Sequence, residues 1–245
     1  MKKISAFLLL TTLTASSALY TGCNSNGTSS SGSNFQGIVT YEIKAGAGLP
    51  PEVSAMLQSM KMTTYVKGNF TRTEESMEGN NTTVIADSKK PDDPIMLISM
   101  FHQKYAIMRN DSMKKLEQNN IPKIEYIDSA SATKSIAGYS CKKAKVTVNM
   151  GKEGSVPSYV YYTTDLPYAD PQGQFKGLKG MPMEFSVSMQ GLNLTITAKS
   201  VESKTLSDSL FTIPADYKQM DINDVQKDLE KHIPKDTTGG GGGMN

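Results

Sequence analysis

The chain is 245 residues long, with 26 lysines and arginines against 24 aspartates and glutamates, 38% hydrophobic residues, no tryptophan and two cysteines. Lys2 and Lys3 are the only charged residues among the first 22, so from residue 23 onward the two signs balance at 24 each; that balance lacks the basic footprint of a nucleic-acid-binding protein. The length suits one large β domain.

In chain order, Lys2 and Lys3 lead into the apolar stretch 4–10, Leu13 stands behind it, and small residues surround Gly22. These are the three parts of an export signal. The stretch is too short for a stop-transfer helix, and no later segment approaches the ~20 consecutive apolar residues a spanning helix needs. Leu19, Thr21, Gly22 and Cys23 resemble a bacterial lipoprotein signal, in which the cysteine is lipidated and becomes the new N-terminus. Tyr20 departs from that pattern, which prefers a small or branched residue there. The alternative is an ordinary secretory signal with Cys23 an incidental thiol. Residues 24–34 are small and polar, cannot bury apolar surface, and read as a flexible linker with a reach of roughly 18 Å. If Cys23 is lipidated, Cys141 has no disulfide partner. It is then expected to be a buried, inert thiol, with a reactive one beside Lys142 and Lys143 as the alternative.

From Phe35 the dominant period is two. Val39, Tyr41 and Ile43 alternate with Thr40, Glu42 and Lys44; Ala144, Val146 and Val148 alternate with Lys143, Lys145 and Thr147; Phe185, Val187 and Met189 alternate with Glu184, Ser186 and Ser188. Leu194, Ile196 and Ala198 follow a Gly191 turn, which predicts a hairpin over residues 183–201. Strands with one wet face form antiparallel sheets covered on one side. Residues 94–101, PIMLISMF, are nearly all apolar and read as a strand buried on both faces or as a buried helical turn. Tyr139 and Cys141 share parity with Lys143 rather than Ala144, which predicts a β-bulge at Lys142 or Lys143.

Helical spacing appears twice. In residues 50–60, prolines and Glu52 suit a helix start, and Val53, Met56, Leu57 and Met60 form one stripe. In residues 221–233, Asp221 can cap a seam of Ile222, Val225, Leu229 and Ile233. The final residues 234–245 carry five consecutive glycines and are expected to be a disordered tail. The expected organisation is a signal peptide over 1–22, lipidated Cys23 with its linker over 23–34, one β domain over 35–233, and the tail. The expected fold is mainly β with few helices: a curved antiparallel sheet, a half-barrel covered by one or two helices, with a pocket inside.

Chemistry-bearing patterns are sparse. His102 and His232 lie far apart, with no close-spaced Cys/His pair for zinc. Asp221, Asn223 and Asp224 lack the glycine and distal glutamate of a calcium loop. Neither a phosphate loop nor a nucleophile elbow is present. The adjacent pairs Glu74-Glu75 and Asp92-Asp93 point to opposite strand faces and read as solvated. Met60/Met62 and Met181/Met183 could offer soft ligands to Cu(I), but the fifteen methionines, Met56, Met96, Met100, Met108 and Met189 among them, are read as adaptable apolar filler. No catalytic residue, metal or cofactor is expected, and the protein is read as not an enzyme.

Three stretches, residues 133–146 (TKSIAGYSCKKAKV), 175–185 (FKGLKGMPMEF) and 211–220 (FTIPADYKQM), follow the opening strand FQGIVTYEI. Together they resemble envelope lipoproteins of Bacteroidota that carry a domain of unknown function, similar in fold to the carrier LolA and to LolB and LppX. In structural terms Gly138 and Gly180 read as turn or bulge positions, Pro182 as a strand opening, and Phe211, Pro214 and Tyr217 as closing the last strand onto the sheet. The resemblance implies a LolA-like half-barrel that shelters acyl chains; anchorage makes a tethered receiver or scaffold a better fit than a soluble shuttle. It also implies location at the outer membrane, facing the periplasm, because no acidic run follows Cys23. Asp-Ser/Thr-apolar triplets resembling O-glycosylation sites of such proteins place candidate acceptors at Ser112, Ser129, Ser209 and Thr237, each also explicable as a turn.

A lipid or other apolar ligand is expected against Val39, Tyr41, Ile43, Met96, Ile98, Val146, Val148, Tyr159, Tyr161, Phe185, Val187, Leu194 and Ile196. The rival expectation is a structural protein with a filled core that docks an envelope partner through residues 159–162.

Overall fold

The structure is a computed structural model that describes residues 17–19, 35–46, 49–108, 122–129, 132–149, 155–169, 175–189 and 192–232. Cys23, its linker, the C-terminal tail, Ser112 and Thr237 lie outside the described residues. Among the described residues two α-helices accompany the strands. α1 (Pro51–Ser59) starts where Pro50 is extended and Pro51 supplies a preset φ, and it stops where Met60 returns to extended backbone. α2 (Ile222–His232) buries Val225 and Leu229.

The first half of the chain is a meander: β2 (Gln36–Ala45), β3 (Lys61–Lys67), β4 (Phe70–Met77), β5 (Asn80–Asp87), β6 (Ile95–Met100) and β7 (Gln103–Met108), each antiparallel to the next. Glu78 and Gly79 turn β4 into β5 with φ of 50° and 82°; positive φ at both central positions matches the twist of a two-residue hairpin. The second half adds β8 (Lys123–Ile127), β9 (Lys134–Ile136), β10 (Tyr139–Asn149), β11 (Ser155–Thr163), β13 (Met181–Met189) and β14 (Leu192–Ser203). β14 pairs with β2 and joins the halves. β15 (Lys218–Asp221) pairs with β7 in parallel. The result is one sheet of thirteen strands, ordered β15-β7-β6-β5-β4-β3-β2-β14-β13-β11-β10-β8, with β9 beside β10. A separate two-stranded sheet pairs β1 (Ser17–Leu19) with β12 (Pro167–Ala169).

The mainly β content with two helices agrees with the sequence. The curved half-barrel does not: the sheet is open and not strongly curled, and its outermost strands, β15 and β8, sit at opposite ends without meeting. The physical reason lies in residues 204–217. Period two in β2, β3 and β4 implies one wet face, but this connection between β14 and β15 crosses the outer face as a strap. There it buries Leu206 and Phe211 on Ile85, Leu97 and Ala106. Lys67 Nζ donates to the Leu206 carbonyl at 2.6 Å and Arg72 Nη1 to the Leu210 carbonyl at 2.9 Å, which fastens it. The sheet therefore has covered apolar surface on both sides near β5–β7, and one-sided burial no longer asks it to close on itself. The helices sit at two places on the inner face: α2 packs at the β7/β15 end, and α1 lies over the middle strands β2 and β4.

Residues 94–101 resolve as strand β6, with Met96, Ile98 and Met100 toward α2 and Leu97 toward the strap. The bulge expected at Lys142 or Lys143 is displaced. β10 changes partner there, from β9 through Cys141 to β8 from Lys143, while the register shift falls on β11, between Tyr161 and Tyr162, opposite β13. Gly138 does sit in a turn, with φ of 86°. Gly180 is instead a close approach, where a Cβ would run into the Thr163 carbonyl. Pro182 stands second in β13, and its carbonyl accepts from the Tyr41 hydroxyl at 3.1 Å.

Candidate functional site

The inner face is opposite the strap. At one end a large apolar cluster runs over β2, β3, β10, β11, β13 and β14, and Leu57 of α1 and Leu166, Phe175 and Leu178 pack into it. Phe175 meets Phe185 edge-on at 4.9 Å between ring centroids. At the other end α2 seals a smaller cluster of Ile98, Met100, Tyr105 and Ile107. Asp228 of α2 accepts from Lys231, Lys218 and Tyr105 at 2.9, 3.1 and 2.9 Å, donors that hold its carboxyl far below the usual carboxylate range.

Between the clusters lies a buried polar strip. Alternation sends Met62, Thr64 and Val66 of β3 and Thr71, Thr73, Glu75 and Met77 of β4 inward, all buried. Register sets Met62 beside Glu75 and Thr64 beside Thr73. The two threonine hydroxyls bond each other at 3.0 Å. Glu75 is 8% exposed, and among the described residues no side chain or backbone group pairs with its carboxyl, which burial pushes up to about 8. Glu74, one residue earlier, faces outward and accepts from Arg72 Nε at 2.6 Å. The expectation of a solvated Glu74-Glu75 pair therefore holds for neither side chain in full: Glu74 is half-buried and ion-paired, Glu75 interior. Asp92 is exposed and meets Lys176 at 3.2 Å. The strip is covered by β1, which lies against β3 and β4, by β12, which lies against β4, and by α1.

Of the residues expected to line a pocket, Val39, Tyr41, Val146, Phe185, Val187, Leu194 and Ile196 are buried in the large inner cluster, and Ile43 packs against it. Met96 and Ile98 belong to the cluster under α2. Val148 lies on β10 opposite Val156. Tyr161 is half-buried and packs against that cluster, whereas Tyr159 is exposed; Lys143 Nζ stands 4.3 Å from the Tyr159 ring centroid and 5.5 Å from that of Tyr161. Their parity matches Lys143 and Lys145, the polar positions of the neighbouring strand, and that signal was present in the sequence. Val160 and Tyr162 are buried, so residues 159–162 form no contiguous apolar patch.

A cleft of about 280 Å³ opens on the outer face, lined by Lys61, Thr63, Arg72, Glu74, Ser76, Asn81, Thr83 and Tyr217. It has the volume of a small ligand pocket but a polar lining, on the side away from the apolar clusters. Cys141 is buried and free, and burial pushes its thiol up to about 12. Met181 and Met183 are wholly buried core residues, and among the described residues no three His, Cys, Asp or Glu side chains are close enough to share a metal. Ser129 and Ser209 are exposed.

Residues 52–166 match the model of a family described as a domain of unknown function, DUF4412. No curated protein matches the chain. Among solved structures the chain is similar to the lipoprotein LppX of Mycobacterium tuberculosis, with 11% identity, a TM-score of 0.30, and coverage of 70% of this chain and 89% of that one. It is also similar to a LolA superfamily protein from Nitrosomonas europaea, with 10% identity, a TM-score of 0.30, and coverage of 74% and 91%.

Proposed function

We propose that the protein is a lipid-anchored, non-enzymatic binding protein of the bacterial envelope that holds an apolar ligand against the inner face of its open sheet, across β3 and β4. One observation carries this reading. Part of the cover over Met62, Thr64, Thr73, Glu75 and Met77 is β1, and β1 falls within residues 1–22, the segment read as an export signal. Removal of that signal takes the cover away and leaves a trough with α1 and β12 beside it and apolar clusters beyond. Exposed apolar surface costs about 25 cal/mol per Å², so the mature chain gains from a replacement occupant with an apolar body.

In this reading Cys23 carries the lipid, residues 24–34 hold the domain close to the outer membrane on its periplasmic side, and residues 234–245 are a free tail. Exposed Ser129 and Ser209 are open to glycosylation. A partner-docking role has less support, because the tyrosines that would form its patch are divided between the two faces. The test is native mass spectrometry of the protein extracted from its own membrane. A mass increment beyond the anchor, released by organic solvent, is expected; protein that is consistently free of any apolar adduct contradicts the reading.

A further inference from the structure

The inner trough has one feature that an apolar ligand alone leaves unanswered. Its neighbouring polar groups are matched: Thr64 and Thr73 bond each other, and the Tyr41 hydroxyl donates to the Pro182 carbonyl. Among the described residues Glu75 is not matched. Its carboxyl is more than nine-tenths buried, stands between Met62 of β3 and Thr82 of β5 in the cross-strand register, and has no counter-ion among the described residues. The lysines nearest on the inner face, Lys218 and Lys231, lie at the far β7/β15 end and are taken by Asp228. The described inward residues of β2 to β5, from Val39 and Tyr41 through Val66 and Met77 to Val84, carry no other formal charge. A buried carboxyl without a donor loses its water and gains nothing in return. A ligand that takes the place of β1 over this strip buries the carboxyl again, and only a ligand with a donor of its own offsets that cost.

We infer that the ligand of this face carries a cationic, hydrogen-bond-donating head group, an amine or ammonium, on its apolar body, and that Glu75 receives it. This rests on the apolar-ligand reading above. The amine returns to Glu75 both the opposite charge and the donors that burial removed, so the carboxylate is ionised in the complex. An anionic head group meets only the like charge. The buried hydroxyls of Thr73, two residues along β4, and of Thr64, its partner on β3, continue the polar strip beside the head group, while the methionines Met62 and Met77 adapt to the chain.

The experiment uses three probes of one chain length, dodecylamine, dodecanol and dodecanoate, titrated at pH 7 and below their micellar range. The protein is the chain beginning at residue 24; all thirteen strands of the large sheet lie between Gln36 and Asp221, so this form keeps the whole sheet. The amine is expected to bind about ten- to a hundredfold more tightly than the alcohol, the range of one charge-assisted bond, and dodecanoate more weakly than either. In Glu75→Gln, a variant of the same shape, amine and alcohol converge to within about twofold. If that variant does not fold, side-chain carboxyl NMR of the unaltered protein serves, with the Glu75 titration moving to lower pH when dodecylamine is added. Equal affinity for amine and alcohol, or an unmoved Glu75 titration, overturns the head-group assignment while the apolar reading stands. Failure of all three probes to bind overturns both.

Discussion

Glu74 and Glu75 are neighbours in sequence and opposites in environment. Period two alone assigns them to different faces, which was legible; what lies over each face was not. The strap supplies Leu210, whose carbonyl accepts from Arg72, the ion-pair partner of Glu74, while β1, β12 and α1 close over Glu75. A pH effect follows for the chain that keeps residues 1–22. As pH rises the unfolded state ionises Glu75 first, near 4.5, whereas the folded state keeps its proton until about 8. The unfolded state binds fewer protons through that window, so this group's contribution to stability falls as pH rises and levels off above it. Glu75→Gln is expected to remove that slope and to melt several degrees higher than the unaltered chain at pH 8.5, roughly as a kcal/mol-scale gain implies. Thermal melts of both proteins from pH 4 to 9 are the check, and parallel curves would refute a buried, unpaired carboxyl. Cys141 gives a second expectation at this scale. A cysteine without a disulfide partner was expected to be a small buried residue, and burial at 0% exposure with a raised thiol makes it unreactive. A thiol-reactive dye at pH 8 is expected to label it only after denaturant is added, with rapid labelling of native protein as the contrary result.

Among the elements, the helices were the most legible. The stripe of Val53, Met56 and Leu57 and the seam of Val225 and Leu229 each specify a period of 3.6, and the observed ends differ from those expected by a residue. The ambiguity of residues 94–101 could not be settled by periodicity, because both faces of β6 are buried and a doubly covered strand has no alternation to read. The same cause hid the strap. Phe211 and Tyr217 read as the close of the last strand, and the sequence alone could not reveal that fourteen preceding and intervening residues, 204–217, cross the opposite face. The strap and α2 act on different sides of the same strands, and their loss should be separable. Phe211→Ala, which removes a ring 5.8 Å from Phe70 and buried on Leu97, is expected to cost about 3–5 kcal/mol. Leu229→Ala, beneath which lie Ile98, Met100, Tyr105 and Ile107, is expected to cost about 2–4 kcal/mol. Urea unfolding measures both. A value under about 0.5 kcal/mol for either would place that element off the core.

At the scale of the whole molecule, the antiparallel sheet was legible and its closure was not. Alternation fixes which residues share a face, but a barrel and an open sheet present the same alternation; the difference rests on whether the end strands find each other. Here β15 enters in parallel beside β7, delivered by the strap, and α2 covers that end, while β8 ends the other side with Lys123, Glu125 and the adjacent Lys145 in ion pairs. Charged side chains on an edge strand oppose further pairing. The candidate site was legible only in part. Tyr41 and Val39 were placed on the inner face, yet Met62, Thr64, Thr73, Glu75 and Met77 were not named, because threonines and a glutamate in alternation with polar neighbours carry no apolar signature.

Residues 1–22 and an apolar ligand are expected to compete for one face. The most direct measurement is the affinity of a long-chain fluorescent fatty amine for two forms of the protein, one beginning at residue 1 with Cys23 changed to Ala and one beginning at residue 24. Saturable binding to the shorter form is expected, with binding weaker by about tenfold or more to the longer one. Equal affinity for the two forms, or no binding by the shorter, would contradict it.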